Sequence, residues 1–173
     1  MRQGGRTGSR VAILVRSPLW RVAGLRPVER ARQAARAVLA SDAPRCGAPA
    51  DLTIVLAGDG EVRELNRRWR GRNQATNILS FPSKAAGPGG RLLLGDVILA
   101  FETIAREAKA ARKPVGDHLS HLVVHGVLHL LGYDHEKPAE ARRMEGVEVR
   151  VLAGLGISDP YAPLRPPSCP GRQ

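Results

Sequence analysis

Residues 118–135 read HLSHLVVHGVLHLLGYDH, and this stretch contains all five histidines of the 173-residue chain. Leucine and valine fill most of the remaining positions, which predicts an apolar helix over residues 117–131. Gly132 can then adopt the left-handed conformation that commonly ends a helix.

The spacing of three histidines in this stretch predicts a metal site. His125 and His129 are four residues apart, so their rings project from one face of the helix, one turn apart. The chain reverses after Gly132 and brings His135 back toward the same point. Three neutral imidazoles with one open position are typical of a catalytic zinc site. We therefore predict one Zn²⁺ per chain at His125, His129 and His135.

Three other polar side chains lie near these histidines in the sequence: His118, His121 and Asp134. His121 or His118 could replace His135 as a ligand, but His121 and His129 are about 12 Å apart along the helix axis, too far for their rings to converge. We expect His121 to lie beside the ligands without binding the metal, and His118 to be partly exposed. Asp134 could orient a ligand, accept a proton, or serve only to shape the turn.

The pattern H-x3-H-x2-G-x2-H matches the ligand spacing of the metzincin proteases. Those enzymes have a general-base glutamate directly after the first histidine, where this chain has Gly126. Amide cleavage needs that carboxylate to activate water and protonate the leaving amine. A phosphodiester needs positive charge near the developing phosphorane, and RNA brings its own 2′-hydroxyl nucleophile. The arginines around Arg70 can supply that charge.

The remaining sequence predicts a single α/β (α+β) domain, in which about five helices flank a mixed sheet of roughly four strands. Period-2 and apolar runs predict the strands at 11–16, 51–57, 76–81 and 92–99. Helical periodicity and composition predict helices at 28–40, 58–69, 101–113, 117–131 and 139–152. We expect the domain to span residues 11–161, between a disordered basic leader (1–10) and a disordered proline-rich tail (162–173).

Composition excludes several classes of protein. Two cysteines cannot form a disulfide framework, which favours a reducing compartment. The apolar run at 11–15 is too short for a signal peptide, and no apolar stretch approaches 18 residues without a charge or histidine. We therefore predict a cytoplasmic protein with no membrane partner and no organic cofactor.

The net charge of +11 is concentrated at the N-terminus, where residues 1–45 carry ten arginines against two acidic residues. An excess of this kind suits a polyanion such as nucleic acid. It is equally consistent with genome base composition, because arginine outnumbers lysine 23 to 4. A local cluster is harder to attribute to composition; it comprises Arg63, Arg67, Arg68, Arg70 and Arg72.

Three blocks of this sequence resemble the YbeY family of bacterial rRNA maturation factors, which are single-strand-specific endoribonucleases. The first block is HGVLHLLGYDH at 125–135, the second runs from Leu65-Asn66 through TNILSFP at 76–82, and the third is LGDVI at 94–98. The resemblance implies a zinc site at the three histidines and an important arginine at Arg70. From the arginine cluster itself we expect RNA contacts at Arg67, Arg68 and Arg72. It also implies action on ribosomal RNA of the small subunit, in 3′-end maturation and ribosome quality control.

Two other functions compete with a zinc endoribonuclease. A zinc peptidase fits the ligand spacing but lacks the carboxylate at Gly126. A non-enzymatic ribosome-binding protein, in which the metal only holds the turn at Gly132, fits the basic N-terminus. Cleavage of RNA or of casein, with and without chelator, separates these functions.

Overall fold

One mixed four-stranded sheet organises the part of the chain that the computed structural model describes, residues 8–21, 24–43, 49–83 and 85–162. Its strands are β1 (Arg10–Val15), β2 (Ala50–Ala57), β3 (Ile78–Pro82) and β4 (Leu92–Ala100). The strand order is β1-β2-β4-β3, with β1, β2 and β4 parallel and β3 antiparallel at one edge. The predicted mixed sheet of four strands is confirmed.

Five α-helices accompany the sheet within the described residues. They are α1 (Pro27–Leu39), α2 (Asp59–Arg70), α3 (Phe101–Ala110), α4 (Val115–Leu130) and α5 (Pro138–Gly154). Proline occupies the first turn of α1 and of α5, where a missing N–H leaves no hydrogen bond unmade. The histidine helix α4 begins two residues before the predicted start, because the Pro114 carbonyl already accepts a helical hydrogen bond of 3.1 Å from the His118 N–H.

The two faces of the sheet are covered by different helices. Ile54, Leu56 and Leu99 lie in a buried cluster with residues of α1, α4 and α5. Val55 and Ile98 lie in a second cluster with residues of α2. Strand β2 is therefore buried on both faces, as its unbroken apolar sequence predicts. The sheet separates α4 on one side from α2 on the other.

Gly126 lets α4 lie directly against the sheet. A Cβ atom at this position would lie 2.6 Å from Ile78 Cδ1 and 2.9 Å from Val97 Cγ1. Ser80 of β3 donates a hydrogen bond of 3.5 Å to the Gly126 carbonyl. Close approach at Gly126 therefore positions the neighbouring His125 over the edge of the sheet formed by β3.

The strand ends differ slightly from the predicted bounds. β3 begins at Ile78 rather than Thr76; just before it, the Asn77 carbonyl accepts from the Ala100 N–H at 2.9 Å and the Asn77 side-chain amide donates to Glu107. Pro82 is the last residue of β3, which an edge strand tolerates. β1 begins at Arg10, within the predicted leader. Residues 1–7 of the predicted leader and residues 163–173 of the predicted tail lie outside the described residues.

An ion pair joins the starts of β2 and β4. Arg91 Nε donates to both carboxylate oxygens of Asp51, at 3.0 and 2.9 Å. The guanidinium also donates to the Gly8 carbonyl, at 3.0 Å. The Arg91 hydrogen bond lowers the pKa of Asp51 below its ordinary value. Across the described ranges, we find no helix that combines the length and the apolar character needed to cross a membrane.

Candidate metal centre

Three histidine rings converge at the end of α4. His125 and His129 project from its last turns, and His135 follows in the turn before α5. One ring nitrogen from each histidine lies within 4.8 Å of the other two. The Nε2 atoms of His125 and His129 are 3.0 Å apart. Two ligands at 2.0–2.1 Å from a tetrahedral ion are about 3.3 Å apart, so the spacing fits one metal ion.

Hydrogen bonds on the far side of two rings leave their Nε2 atoms available. His125 Nδ1 lies 2.8 Å from Glu148 Oε1, and His129 Nδ1 lies 3.0 Å from the Tyr133 carbonyl. A carboxylate and a carbonyl can only accept, so each Nδ1 carries the proton and each Nε2 presents a lone pair. This is the tautomer that a metal ligand needs. The cluster can therefore hold a metal ion.

The pKa of His129 also favours the neutral ligand form. Burial lowers this pKa below its ordinary value, and the neighbouring rings of His125 and His135 lower it further. The Tyr133 carbonyl and Asp134 act in the opposite direction, but less strongly. A neutral imidazole is the form that coordinates a cation.

The turn after α4 depends on Gly132, whose φ of 90° is left-handed. Tyr133 donates its N–H to the Leu128 carbonyl at 3.0 Å, which closes the helix end. Asp134 Oδ1 accepts a hydrogen bond of 2.7 Å from the backbone N–H of His135. This contact supports the interpretation that Asp134 shapes the turn, rather than orienting a histidine ring.

A buried carboxylate that the sequence analysis did not single out lies behind the cluster. Glu148 of α5 is fully buried, with Oε1 on His125 and Oε2 accepting from the Tyr161 hydroxyl. His121 Nε2 is 3.5 Å from Oε2, without hydrogen-bond geometry. Burial raises the pKa of Glu148, but interactions with His121, His125 and Tyr161 outweigh it and lower the pKa to about 2.

The other two histidines stand along α4 outside the cluster. His118 Nε2 lies 2.9 Å from Glu107 Oε2 of α3. His121 faces Glu148, and its ring centroid is 6.4 Å from that of His125. Neither ring belongs to the group of three nitrogens that could share one ion. The assignment of the ligands to His125, His129 and His135 remains a prediction that this geometry supports.

The arginines of α2 differ in their partners. Arg67 is paired with Glu64, at 3.0 and 2.7 Å, and Arg63 Nε donates to Asn73 at 2.7 Å. Arg70 is the last residue of α2, before Gly71, whose φ of 68° ends the helix. Its exposed side chain makes no hydrogen bond or ion pair within the described residues, and no contact joins it to the histidines. The role of Arg70 therefore remains a prediction.

Comparisons with known proteins point to one family. A family model described as endoribonuclease YbeY matches residues 25–156. The chain is 60% identical over 116 residues to the endoribonuclease YbeY of Paramagnetospirillum magneticum, which covers 64% of this chain and 71% of that protein. It is 48% identical over 131 residues to the endoribonuclease YbeY of Allorhizobium ampelinum, which covers 75% of this chain and 78% of that protein.

One solved structure supports the fold. The solution structure of TM1509 from Thermotoga maritima is 20% identical, with a TM-score of 0.55 over 89% of this chain and 100% of that chain. The extent of the family match and the identities to the two relatives confirm the resemblance seen in the sequence. This chain belongs to the endoribonuclease YbeY family.

Proposed function

We propose that this protein is a zinc-dependent endoribonuclease that cleaves single-stranded RNA during ribosomal RNA processing. As a member of the YbeY family, the chain is an RNA-cleaving enzyme. The observation that carries the metal dependence is the convergence of three imidazole nitrogens within 4.8 Å. The resemblance supports the finer assignments, namely the small-subunit 3′ end, ribosome quality control and a cytoplasmic location.

The donor set favours zinc among the biological divalent ions. His125, His129 and His135 would hold the ion through nitrogen alone, and imidazole suits zinc better than magnesium or calcium, which take oxygen ligands. When bound, zinc supplies a Lewis acid and lowers the pKa of a bound water to about 7. The protein's part is to orient the rings, through Glu148 behind His125 and the Tyr133 carbonyl behind His129.

Steric packing argues against the peptidase alternative. The position of a metzincin's general-base carboxylate is Gly126, where even a Cβ would lie 2.6 Å from Ile78 Cδ1. Glu148 does not replace that carboxylate, because it is fully buried and both its oxygens are engaged behind His125. RNA cleavage can use the substrate's own 2′-hydroxyl as the nucleophile, so it depends less on a protein carboxylate than amide cleavage does.

Arg70 is the residue that we propose to bind the phosphate during cleavage. Its guanidinium is exposed and has no carboxylate partner in the described chain, so it is free to bind a phosphate bidentately. Lysine cannot reproduce that fork geometry. Arg70→Lys should lower the cleavage rate at least tenfold with unchanged folding. Arg67→Lys is the matched control, because Glu64 already neutralises Arg67; equal rates for both variants would contradict the role.

The proposed function is tested by elemental analysis of purified protein, followed by cleavage of a labelled single-stranded RNA. We expect one zinc per chain, loss of cleavage with chelator, and recovery on adding zinc. A duplex RNA and casein should stay intact. Cleavage of casein would favour the peptidase. Specific RNA binding with no cleavage at any metal concentration would favour the non-enzymatic ribosome-binding protein.

A further inference from the structure

Trp69 is a large aromatic side chain held in an exposed position. It is 64% exposed, whereas Trp20, the other tryptophan, is fully buried and donates its indole N–H to Ala57. Phe81 of β3 packs edge-on against the Trp69 ring, with centroids 6.2 Å apart. The Arg68 guanidinium lies 5.7 Å from the ring centroid. The indole is thus supported by its neighbours while much of its surface remains in contact with solvent.

The charge around Trp69 is strongly positive. Arg68, Arg70 and Arg72 are exposed and make no ion pair in the ranges that the structure describes. Glu64 also attracts Arg68, but its carboxylate is ion-paired with Arg67. Asp96 lies opposite Phe81 in the sheet and brings one negative charge to this side, against three guanidiniums. An aromatic ring beside unpaired arginines matches the chemistry of single-stranded nucleic acid, in which bases stack on rings and phosphates meet cations.

We propose that Trp69 is a stacking platform for one unpaired nucleobase of the RNA substrate, with Arg68, Arg70 and Arg72 binding the flanking phosphates. This inference rests on the proposed function and extends it to substrate selection. A base can stack on the indole only when it is free of its own duplex. The platform therefore accounts for a preference for single strands without selecting a sequence, because every base has a π-face.

Strand β3 connects this platform to the histidine cluster. Phe81 and Ser80 are adjacent in β3, so their side chains point to opposite faces of the sheet. Phe81 supports Trp69 on the α2 side, and Ser80 contacts the Gly126 carbonyl on the α4 side, next to His125. β3 is an edge strand, so a single RNA strand that crosses the free edge would meet both sites.

The test measures binding with the metal removed by chelator, so that the RNA is not cleaved. The probes are a ten-nucleotide oligouridine and an abasic ribose-phosphate oligomer of the same length and charge. The variants are Trp69→Leu, which removes the ring, and Trp69→Phe, which keeps a smaller one. Leu19→Ala is the matched control, because Leu19 is also an exposed apolar side chain, at 45%.

Loss of the ring should weaken oligouridine binding by about five- to 150-fold, the range measured when one stacked base loses its aromatic partner. Trp69→Phe should lose less, and Leu19→Ala should bind as the wild type does. All four proteins should bind the abasic oligomer equally. Oligouridine should also quench the wild-type tryptophan fluorescence, whereas Trp69→Phe, which keeps only the buried Trp20, should show no quenching.

Equal oligouridine affinity of Trp69→Leu and the wild type would overturn the proposal. A parallel loss on the abasic oligomer would also overturn it, because stacking needs a base. Zinc-loaded wild-type protein is assayed for RNA cleavage in the same series. If the wild type cleaves RNA and Trp69→Leu has no effect, the platform alone is rejected. If the wild type neither binds nor cleaves RNA, the proposed function is rejected as well.

Discussion

Replacing Glu148 with glutamine should weaken zinc binding about tenfold. The amide has the same shape and can still accept from His125 Nδ1 through its oxygen, while its NH₂ group faces the Tyr161 hydroxyl. Glu148→Gln therefore removes the negative charge behind His125 and keeps the hydrogen bond. Losing an outer partner of a metal ligand weakens metal binding about 10- to 100-fold, and we expect the conservative change to fall at the lower end, about 1.4 kcal/mol.

Two further variants separate the effect of the Glu148 negative charge from the effect of its side-chain length. Glu148→Ala removes both the charge and the hydrogen bond, and should approach the upper end, about 100-fold. Glu148→Asp keeps the charge but withdraws it by about 1.5 Å, one carbon–carbon bond. The observed contact is already 2.8 Å, so aspartate cannot reach His125 without movement of α5. We expect Glu148→Asp to bind zinc more weakly than the wild type, by at least as much as Glu148→Gln.

The assay is competition for zinc between the metal-free protein and a chromogenic chelator, with thermal denaturation of the metal-free protein measured in parallel. Glu29→Gln is the control, because Glu29 is exposed on α1. Wild-type zinc affinity in all three Glu148 variants would refute the reasoning, since the contact with His125 would then have no influence on the ligand. Loss of stability without loss of affinity would show that Glu148 serves packing alone.

Three other predictions concern the ligands, the core and acid stability. His129→Ala should lose the bound metal, whereas His121→Ala should keep one ion per chain by elemental analysis; the opposite pattern would reassign the ligands. Gly126→Ala should lower the free energy of unfolding by about 1–3 kcal/mol, because its methyl group would overlap Ile78; an unchanged denaturant midpoint would contradict this. The folded-state pKa of Asp51 is below its unfolded value, so its ion pair stabilises the protein fully above about pH 4. The stability difference between wild type and Asp51→Asn should therefore shrink as the pH falls further, and a constant difference in urea unfolding down to pH 2 would exclude this linkage.

The spacing of the histidines along the chain predicted that three of their rings lie close together. The interval between His125 and His129, followed by a glycine turn, is sufficient to bring three rings together, because a helix and one turn define their geometry. Helix and strand bounds were predicted to within a few residues, because they also depend on the local sequence. Strand order lay beyond such reasoning: nothing local in β3 says that it pairs antiparallel to β4 at the edge of the sheet.

Glu148 could not be identified because its role depends on how two helices pack. It lies 23 residues after His125, and an acidic residue on α5 is ordinarily exposed. One signal was present in the sequence: Glu148 falls among Val147, Val151 and Leu152, on the stripe that is buried. A carboxylate on an apolar stripe needs a polar partner, and His125 is that partner here. Arg70 is the reverse case, since the sequence singles it out and the structure gives it no contact.

The position of α4 in the core has a consequence for folding during synthesis. α1 packs against α4, although 75 residues separate the end of one from the start of the other. The N-terminal strand and helix therefore emerge from the ribosome long before their main partner exists, and contacts between distant segments form slowly. The helix α4, which packs against α1 in this core, is also the helix that carries His125 and His129. The nascent chain therefore cannot bring the three histidine rings together until α4 and the turn after it have been synthesised.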